Sequence, residues 1–342
     1  MNISDKYSDK YKVYRKRFLE DFILPGAENG RSIPANQRND TEIHFGDATL
    51  YLGWYLAVLA TEKDLDYKRI DDALLSLERL MQPCGYFIRD DVTEFKGLKT
   101  YSDFLSPNIH LKEESQDQTI HLLMGLMLMH RFTPGLRARY LMARIVGWIA
   151  KNRWIIRNPE TGKAVARGPY AHAFSYPMSL ICPKVKKKVW WIFKFIWKHI
   201  MHYFIPRIYT ATNLHLVSTI AAASNGWGDK TVKYLLKLVD RNSWYMYPMI
   251  NAVLYPSWKK DVELSRWEYD ICEMLYRAPE EGPNYHSLSP WRVAHLFLTE
   301  IERQEGTGPP WAEGMRFSGL DFMLLHNLYL KLKEKNNECY PW

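Results

Sequence analysis

The stretch LYLGWYLAVLA, residues 50–60, constrains the fold more than any other, because it is uncharged and apolar on every side. At 3.6 residues per turn no face of such a helix suits water, so it has to be surrounded by protein. Segments near 115–131, 210–224 and 244–255 are equally short of charge. Those at 67–82, 134–152, 186–204, 229–241 and 259–277 carry Lys, Arg, Asp or Glu along one face. Buried and half-exposed helices therefore alternate. The simplest architecture with that rhythm is a toroid of helical hairpins, in which an inner ring of apolar helices sits inside an outer ring of amphipathic ones.

Helical periodicity over 7–22, 47–62, 171–181, 290–303 and 317–334 completes the set, and strand-like alternation is scarce. The fold class expected is all-α. Pro134 reads as just inside one helix, Ser289 and Pro290 as cap and first residue of another, and Asp229 as the cap that follows NGWG. No linker rich in Pro, Gly or Ser divides the chain, which predicts one domain over 1–342, with a one-helix extension over 1–40 and the barrel over 41–334. Loops 23–46, 83–114, 153–170 and 278–289 are long, whereas 63–66 and 132–133 are very short. In a ring whose inner helices run parallel, the long loops gather at the inner-helix N-termini, where binding and catalysis are expected.

Composition narrows the function classes. Aromatic residues make up 14% of the chain, with 13 Trp and 22 Tyr, a density that suits either a large helical core or a pocket for flat ligands such as sugars. The net charge of +8 arises from 46 basic and 38 acidic residues that are interleaved, not focused into the stripe that nucleic-acid binding needs. Cys84, Cys182, Cys272 and Cys339 lie far apart, so neither a zinc site nor a disulfide framework is expected. The opening MNISDKYSDKYKVYRKRF lacks the apolar core of a signal peptide, and Lys194 and Lys198 interrupt the most hydrophobic run. The expectation is a cytoplasmic or peripheral membrane protein, secreted only if a leader has been removed.

The chain resembles the (α/α)6-barrel proteins, the six-hairpin glycosidase-like group, over about residues 40 to 334. The resemblance rests on the helix rhythm and on inner helices that start with polar and aromatic residues. GYFIRDDV and SQDQ look like segments of bacterial toroid proteins of unassigned function. It implies carbohydrate chemistry at the inner-helix N-terminal face, by glycoside hydrolysis or by polysaccharide (uronate) lysis.

The segment ESQDQTIHLLMGLMLMHRF, residues 114–132, poses the question of function most sharply. Ser115 and Gln118 fit a capping box, and Asp117 in the first turn suits the helix dipole. That leaves Gln116 and His121, the latter one turn from Asp117, where an aspartate can orient an imidazole. GYFIRDDV places Arg89, Asp90 and Asp91 in the long loop before this helix, as an ordinary ion-paired turn or as one partner of a catalytic pair. Asp117 with Asp91 or Asp90 would supply the acid and base that glycoside hydrolysis requires. Asp47 reads most simply as the cap of its helix, with Tyr51, Trp54 and Tyr55 below it as an aromatic wall or as core.

Two further segments belong to the same face. GPYAHAFSYP offers His172 and Tyr176, which with an arginine would serve a lyase, and PEEGPNYHSLSPWR offers Tyr285, His286 and Arg292 on a rim loop. No metal-binding, nucleotide-binding or serine-hydrolase motif appears, so no cofactor and no metal are expected. The basic helix over 186–204 sets Trp191 and Phe195 inside an arc of lysines, which is either an outer barrel helix or an interfacial one docking on an anionic membrane. The expected partners are a carbohydrate and that membrane surface, with no nucleic acid. A non-catalytic toroid that binds a ligand is the alternative.

Overall fold

The computed structural model describes residues 3–23, 32–133, 135–153, 155–166, 219, 222–223, 233, 235–237, 239, 245–255, 264–278 and 315–338. Helix accounts for 61% of them. The described helices are α1 (Ile3–Asp21), α2 (Ala48–Thr61), α3 (Tyr67–Leu80), α4 (Gln116–Phe132), α5 (Leu136–Lys151), α6 (Met246–Leu254), α7 (Leu264–Arg277) and α8 (Leu320–Glu338). Their ends agree closely with the periodicity of the sequence. Several starts differ by more than a residue: α1 begins at Ile3 and not at 7, α5 at Leu136 with Gly135 as its cap, α6 at Met246 and not at 244, and α8 at Leu320 and not at 317. The expected helices at 171–181, 186–204 and 290–303 lie outside the described residues.

The absence of charge on α2 has the consequence expected of it, because all of its residues are buried. α4 is buried from Gln118 to Met129, and α6 throughout. The apolar helices are neighbours in a closed order: α4 lies on α2, α2 on α8, α8 on α6, and α6 on α4. The amphipathic helices pack outside them, α1 and α7 on α8, α3 on α2 and α5 on α4. Each therefore buries one face and leaves the charged one to water.

Successive contacts give the directions. Thr49 meets Gln118 near the starts of α2 and α4, and further along Gly53 lies against His121 and Gly125. Tyr51 senses Asp321 at the start of α8, and the Asn327 amide donates to the Val58 carbonyl, 3.3 Å away. Helices α2, α4 and α8 therefore run parallel, with their N-termini on one side. By contrast, Tyr14 stacks on Phe322 and Tyr11 on His326, at 4.1 and 4.6 Å, so α1 runs antiparallel to α8. The Lys10 ammonium ties α1 to the end of α7 by donating to the carbonyls of Leu275, Tyr276 and Ala278.

The all-α expectation needs correction, because small strands are present. β1 (Gln37–Arg38), β2 (Glu42–His44), β3 (Lys99–Tyr101) and a last strand, numbered β6 (Arg316–Phe317), form one sheet in the order β3-β2-β1-β6. Between them in sequence, β4 (Ile156–Arg157) and β5 (Ala164–Ala166) make a separate antiparallel pair. At two or three residues each, these strands are too short to leave a period-two signal. The larger sheet is built from the segments that lead into α2, α4 and α8, so it ties together the three parallel N-termini.

The contact of α2 with α4 depends on two glycines. A Cβ built on Gly125 would lie 2.0 Å from the Gly53 carbonyl oxygen, and one on Gly53 would lie 2.5 Å from the His121 carbonyl oxygen. Both obstacles are backbone, so the helices themselves would have to separate. Gly125→Ala should cost about 1–3 kcal/mol or more in urea denaturation. Gly147→Ala on α5, whose Cβ would meet nothing within 4 Å, should instead be neutral or stabilise by up to about 1 kcal/mol.

Candidate functional site

Asp47 stands at the cap position of α2, yet its side chain makes no capping hydrogen bond. Its backbone is left-handed, with φ 58° and ψ 30°, a region that aspartate tolerates better than most residues. The carboxylate is thereby turned toward α4. Asp47 Oδ1 accepts from Gln118 Nε2 at 2.8 Å and from Arg89 Nη1 at 3.4 Å, while the Asp47 amide donates to Asp103 Oδ2 at 3.2 Å. Arg89 also donates to Asp103 Oδ2 at 3.2 Å and, through Nε, to the Glu113 carbonyl at 2.7 Å. One guanidinium thus joins the loop before α4 to the start of α2.

Gln118 is wholly buried, and its two amide ends are assigned different partners: Oε1 accepts from the Thr49 hydroxyl and Nε2 donates to Asp47. This corrects the capping-box reading by half. Ser115 Oγ does accept from the Gln118 amide at 3.4 Å, but the Gln118 side chain serves Asp47 and does not return to the cap. The Ser115 hydroxyl also donates to the Asp117 carboxylate.

Asp117 lies near enough to act on Asp47 electrostatically. Burial pushes the Asp47 carboxyl up to about 6, the Asp117 charge adds to the rise, and Arg89 opposes it. The Asp47 side chain nonetheless keeps 24% of its surface exposed, so water reaches it. Asp321, in the first turn of α8, is buried and likewise pushed up to about 6. Tyr51 feels the charges of both Asp47 and Asp321, and burial raises its phenol well above the ordinary value. Carboxyl groups from the starts of three parallel helices therefore converge on one side of the molecule.

Other sequence-predicted residues are used differently. Asp91 pairs with Arg79, and buried Asp90 accepts from the amides of Val92 and Asp103, both at 3.0 Å. The described partners of both lie within their own loop and α3, and Arg89 pairs with Asp47 and Asp103 instead of either. Burial pushes the Asp90 carboxyl up to about 6, so it is a neutral or ionised staple of the loop according to pH. His121 does not meet the Asp117 carboxylate: its Nδ1 lies 2.8 Å from the Asp117 carbonyl oxygen and its Nε2 lies 3.2 Å from the Thr219 hydroxyl. Nδ1 donates to the carbonyl, and burial keeps the imidazole neutral by lowering its pKa. Trp54 is tilted on His121 with centroids 5.7 Å apart, and its buried Nε1 finds no acceptor among the described residues. Tyr55 turns the other way, onto Phe18 of α1 at 4.9 Å, and belongs to the core.

His172, Tyr176, Tyr285, His286 and Arg292 lie outside the described residues, as does the basic helix over 186–204. Asp103, Asp321 and Thr49 were not legible as site residues, since nothing in their local sequence sets them apart from turn and helix-start residues. Among the described residues no group of three or more His, Cys, Asp and Glu is arranged to hold a metal ion. No described helix is long and apolar enough to cross a membrane. Compared with known protein families, curated proteins and solved structures, the chain matches none.

Glu114, next to the Ser115 cap, is fully buried, and burial pushes its carboxyl up to about 8. Its Oε1 lies 2.7 Å from the Thr119 hydroxyl, which also donates to the Ser115 carbonyl, and its Oε2 lies 3.5 Å from the Phe87 amide. A protonated acid satisfies this arrangement by donating to Thr119 while accepting from Phe87, and a glutamine amide would do the same. The folded state holds this proton up to about pH 8 and the unfolded chain only to about 4.5, so stability is lost as pH rises between them. Relative to wild type, Glu114→Gln should gain roughly 1.4 kcal/mol per pH unit across that window in denaturant titrations. A constant difference would show that Glu114 is ionised in the fold.

Proposed function

We propose that the protein is a carbohydrate-active (α/α)6 toroid, a glycoside hydrolase whose acid is Asp47 and whose second carboxylate is Asp117. The closed order of four charge-poor helices and the parallel run of three of them support the toroid. The observation that carries the chemistry is the Asp47 carboxyl, raised to about 6 beside Asp117 yet still reached by solvent. Glycoside hydrolysis needs two carboxyl groups with separated protonation states. Asp47, protonated below about pH 6, would give its proton to the glycosidic oxygen as the bond to the anomeric carbon breaks. Asp117 would take a proton from the attacking water, or would attack the anomeric carbon to form a glycosyl ester that water then cleaves, giving its proton to Asp47. Gln118 and Arg89 would fix the acid's direction, because both hold the same oxygen, Oδ1, and leave Oδ2 for the substrate.

The lyase reading gains less support. A uronate carboxylate at this mouth would meet Asp47, Asp103 and Asp117 with Arg89 as the described counter-charge, an unfavourable balance for an anion. A neutral sugar meets no such penalty.

The test is turnover of a panel of aryl glycosides and neutral oligosaccharides. Asp47→Asn and Asp117→Asn should each lower kcat by about 10²–10⁴-fold while leaving the melting temperature close to wild type. Asparagine also tolerates the left-handed backbone of position 47. Wild-type activity should fall as pH rises through about 6, where Asp47 loses its proton. Binding of a glycan without turnover, unchanged in both variants, would make the site a structural junction and the toroid a binding protein.

A further inference from the structure

The end of β3 and the loop from it to α4 show large apolar side chains to water. Tyr101, Phe104, Leu105, Ile109 and Leu111 are 38%, 37%, 48%, 66% and 37% exposed. The backbone beneath them is tethered throughout. Ser102 Oγ donates to the Val92 carbonyl at 2.7 Å and accepts from the Leu105 amide at 3.1 Å. The Asp103 amide is held by Asp90, Ser106 Oγ accepts from the Asn108 amide, and Asn108 Oδ1 accepts from the His110 amide as cap of a 3-10 turn, Ile109–Leu111. A firmly held loop that keeps its apolar residues out forgoes roughly 25 cal/mol for each Å² left uncovered. Contiguous patches of this kind mark interaction sites.

The lysines around the patch indicate what covers it. Lys99 Nζ lies over the Tyr101 ring at 4.6 Å and Lys112 Nζ over Phe104 at 5.3 Å, whereas Lys96 is turned to the Glu20 carbonyl of α1 and the buried Phe95 ring. Aliphatic tips, aromatic rings and a basic rim in one place match the three layers of an anionic bilayer surface: acyl chains, headgroup boundary and lipid phosphates. A sugar would stack on the rings but find nothing to hydrogen-bond on Leu105, Ile109 and Leu111. A second copy related by a two-fold axis would set one lysine rim against the other.

We infer that segment 101–111 is a membrane-docking loop that seats its apolar tips, with Lys99 and Lys112 beside them, on an anionic lipid surface. The loop reaches the candidate site directly, because Asp103 within it and Glu113 just after it are both held by Arg89. The inference does not depend on the hydrolase reading.

Vesicle co-sedimentation tests it. Wild-type protein should pellet with phosphatidylcholine vesicles that contain about 30 mol% phosphatidylserine, pellet weakly with phosphatidylcholine alone, and be released at about 0.5 M salt. Leu105→Asp/Ile109→Asp should reduce binding by at least about tenfold without lowering the melting temperature, since both side chains are already exposed. Lys99→Glu/Lys112→Glu should reduce binding to the anionic vesicles in the same direction. No pelleting of the wild type overturns the inference. Equal pelleting of wild type and Leu105→Asp/Ile109→Asp also overturns it, by moving lipid binding to another surface such as 186–204. A wild-type dimer in sedimentation velocity that the same pair of substitutions dissociates, without vesicle binding, would assign the patch to self-association.

Discussion

Helices α2 and α4 touch backbone to backbone where Gly53 meets Gly125, and the rest of the described site depends on that closeness. Side chains of ordinary size would keep two helix axes 8–10 Å apart or more. With hydrogens in their place, the first turns draw near enough for Thr49 and Asp47 on one helix to share the single amide of Gln118 on the other. The glycines therefore set a polar distance by means of an apolar contact. A wider spacing would take both side-chain partners from buried Gln118, a cost of about 1–3 kcal/mol for each orphaned group. Packing and polar pairing reinforce each other here.

The electrostatics of the mouth follow from the same geometry. Parallel helices bring positive dipole ends together, which favours carboxylates in their first turns, while burial and mutual repulsion resist ionisation. For Asp47 the second pair of influences prevails, although Arg89 opposes it. Asp90, Asp321 and Glu114 are raised as well, in each case chiefly by burial. The molecule thus holds several acids that fold more comfortably with their protons. Asp47 differs from the other three in keeping contact with solvent, and that is what makes it a candidate for chemistry.

The helices were legible because an uncharged stretch such as 50–60 admits few alternatives, and because burial periodicity extends over several turns. The strands were not, since a two-residue strand such as β1 is defined by its partners and not by its own residues. In the site, Asp117 lies close enough to Asp47 for its charge to act there, and the partners expected for it in the sequence, Asp91 and Asp90, are held elsewhere. Asp91 follows Arg89 closely in sequence, yet the fold gives it to Arg79 of α3 and gives Arg89 to Asp47, which is 42 positions away. Asp47 read as a cap because aspartate at a helix start nearly always is one. Its left-handed backbone, which turns the carboxylate away from its own helix, is settled by tertiary contacts with Asp103 and Gln118.

The four-stranded sheet joins segments drawn from almost the whole length of the chain: β1 and β2 near its beginning, β3 after α3, and β6 after residue 315. During translation β1 can pair with β2 as soon as both have emerged, but its other edge stays open until β6 has been made. An open edge is a template for pairing with other chains, and long-range closure is slow. The order of synthesis therefore becomes an order of assembly. The first helices and their buried polar junction can form early, and the sheet beside the three helix starts is completed last, when α8 docks and carries its strand into place.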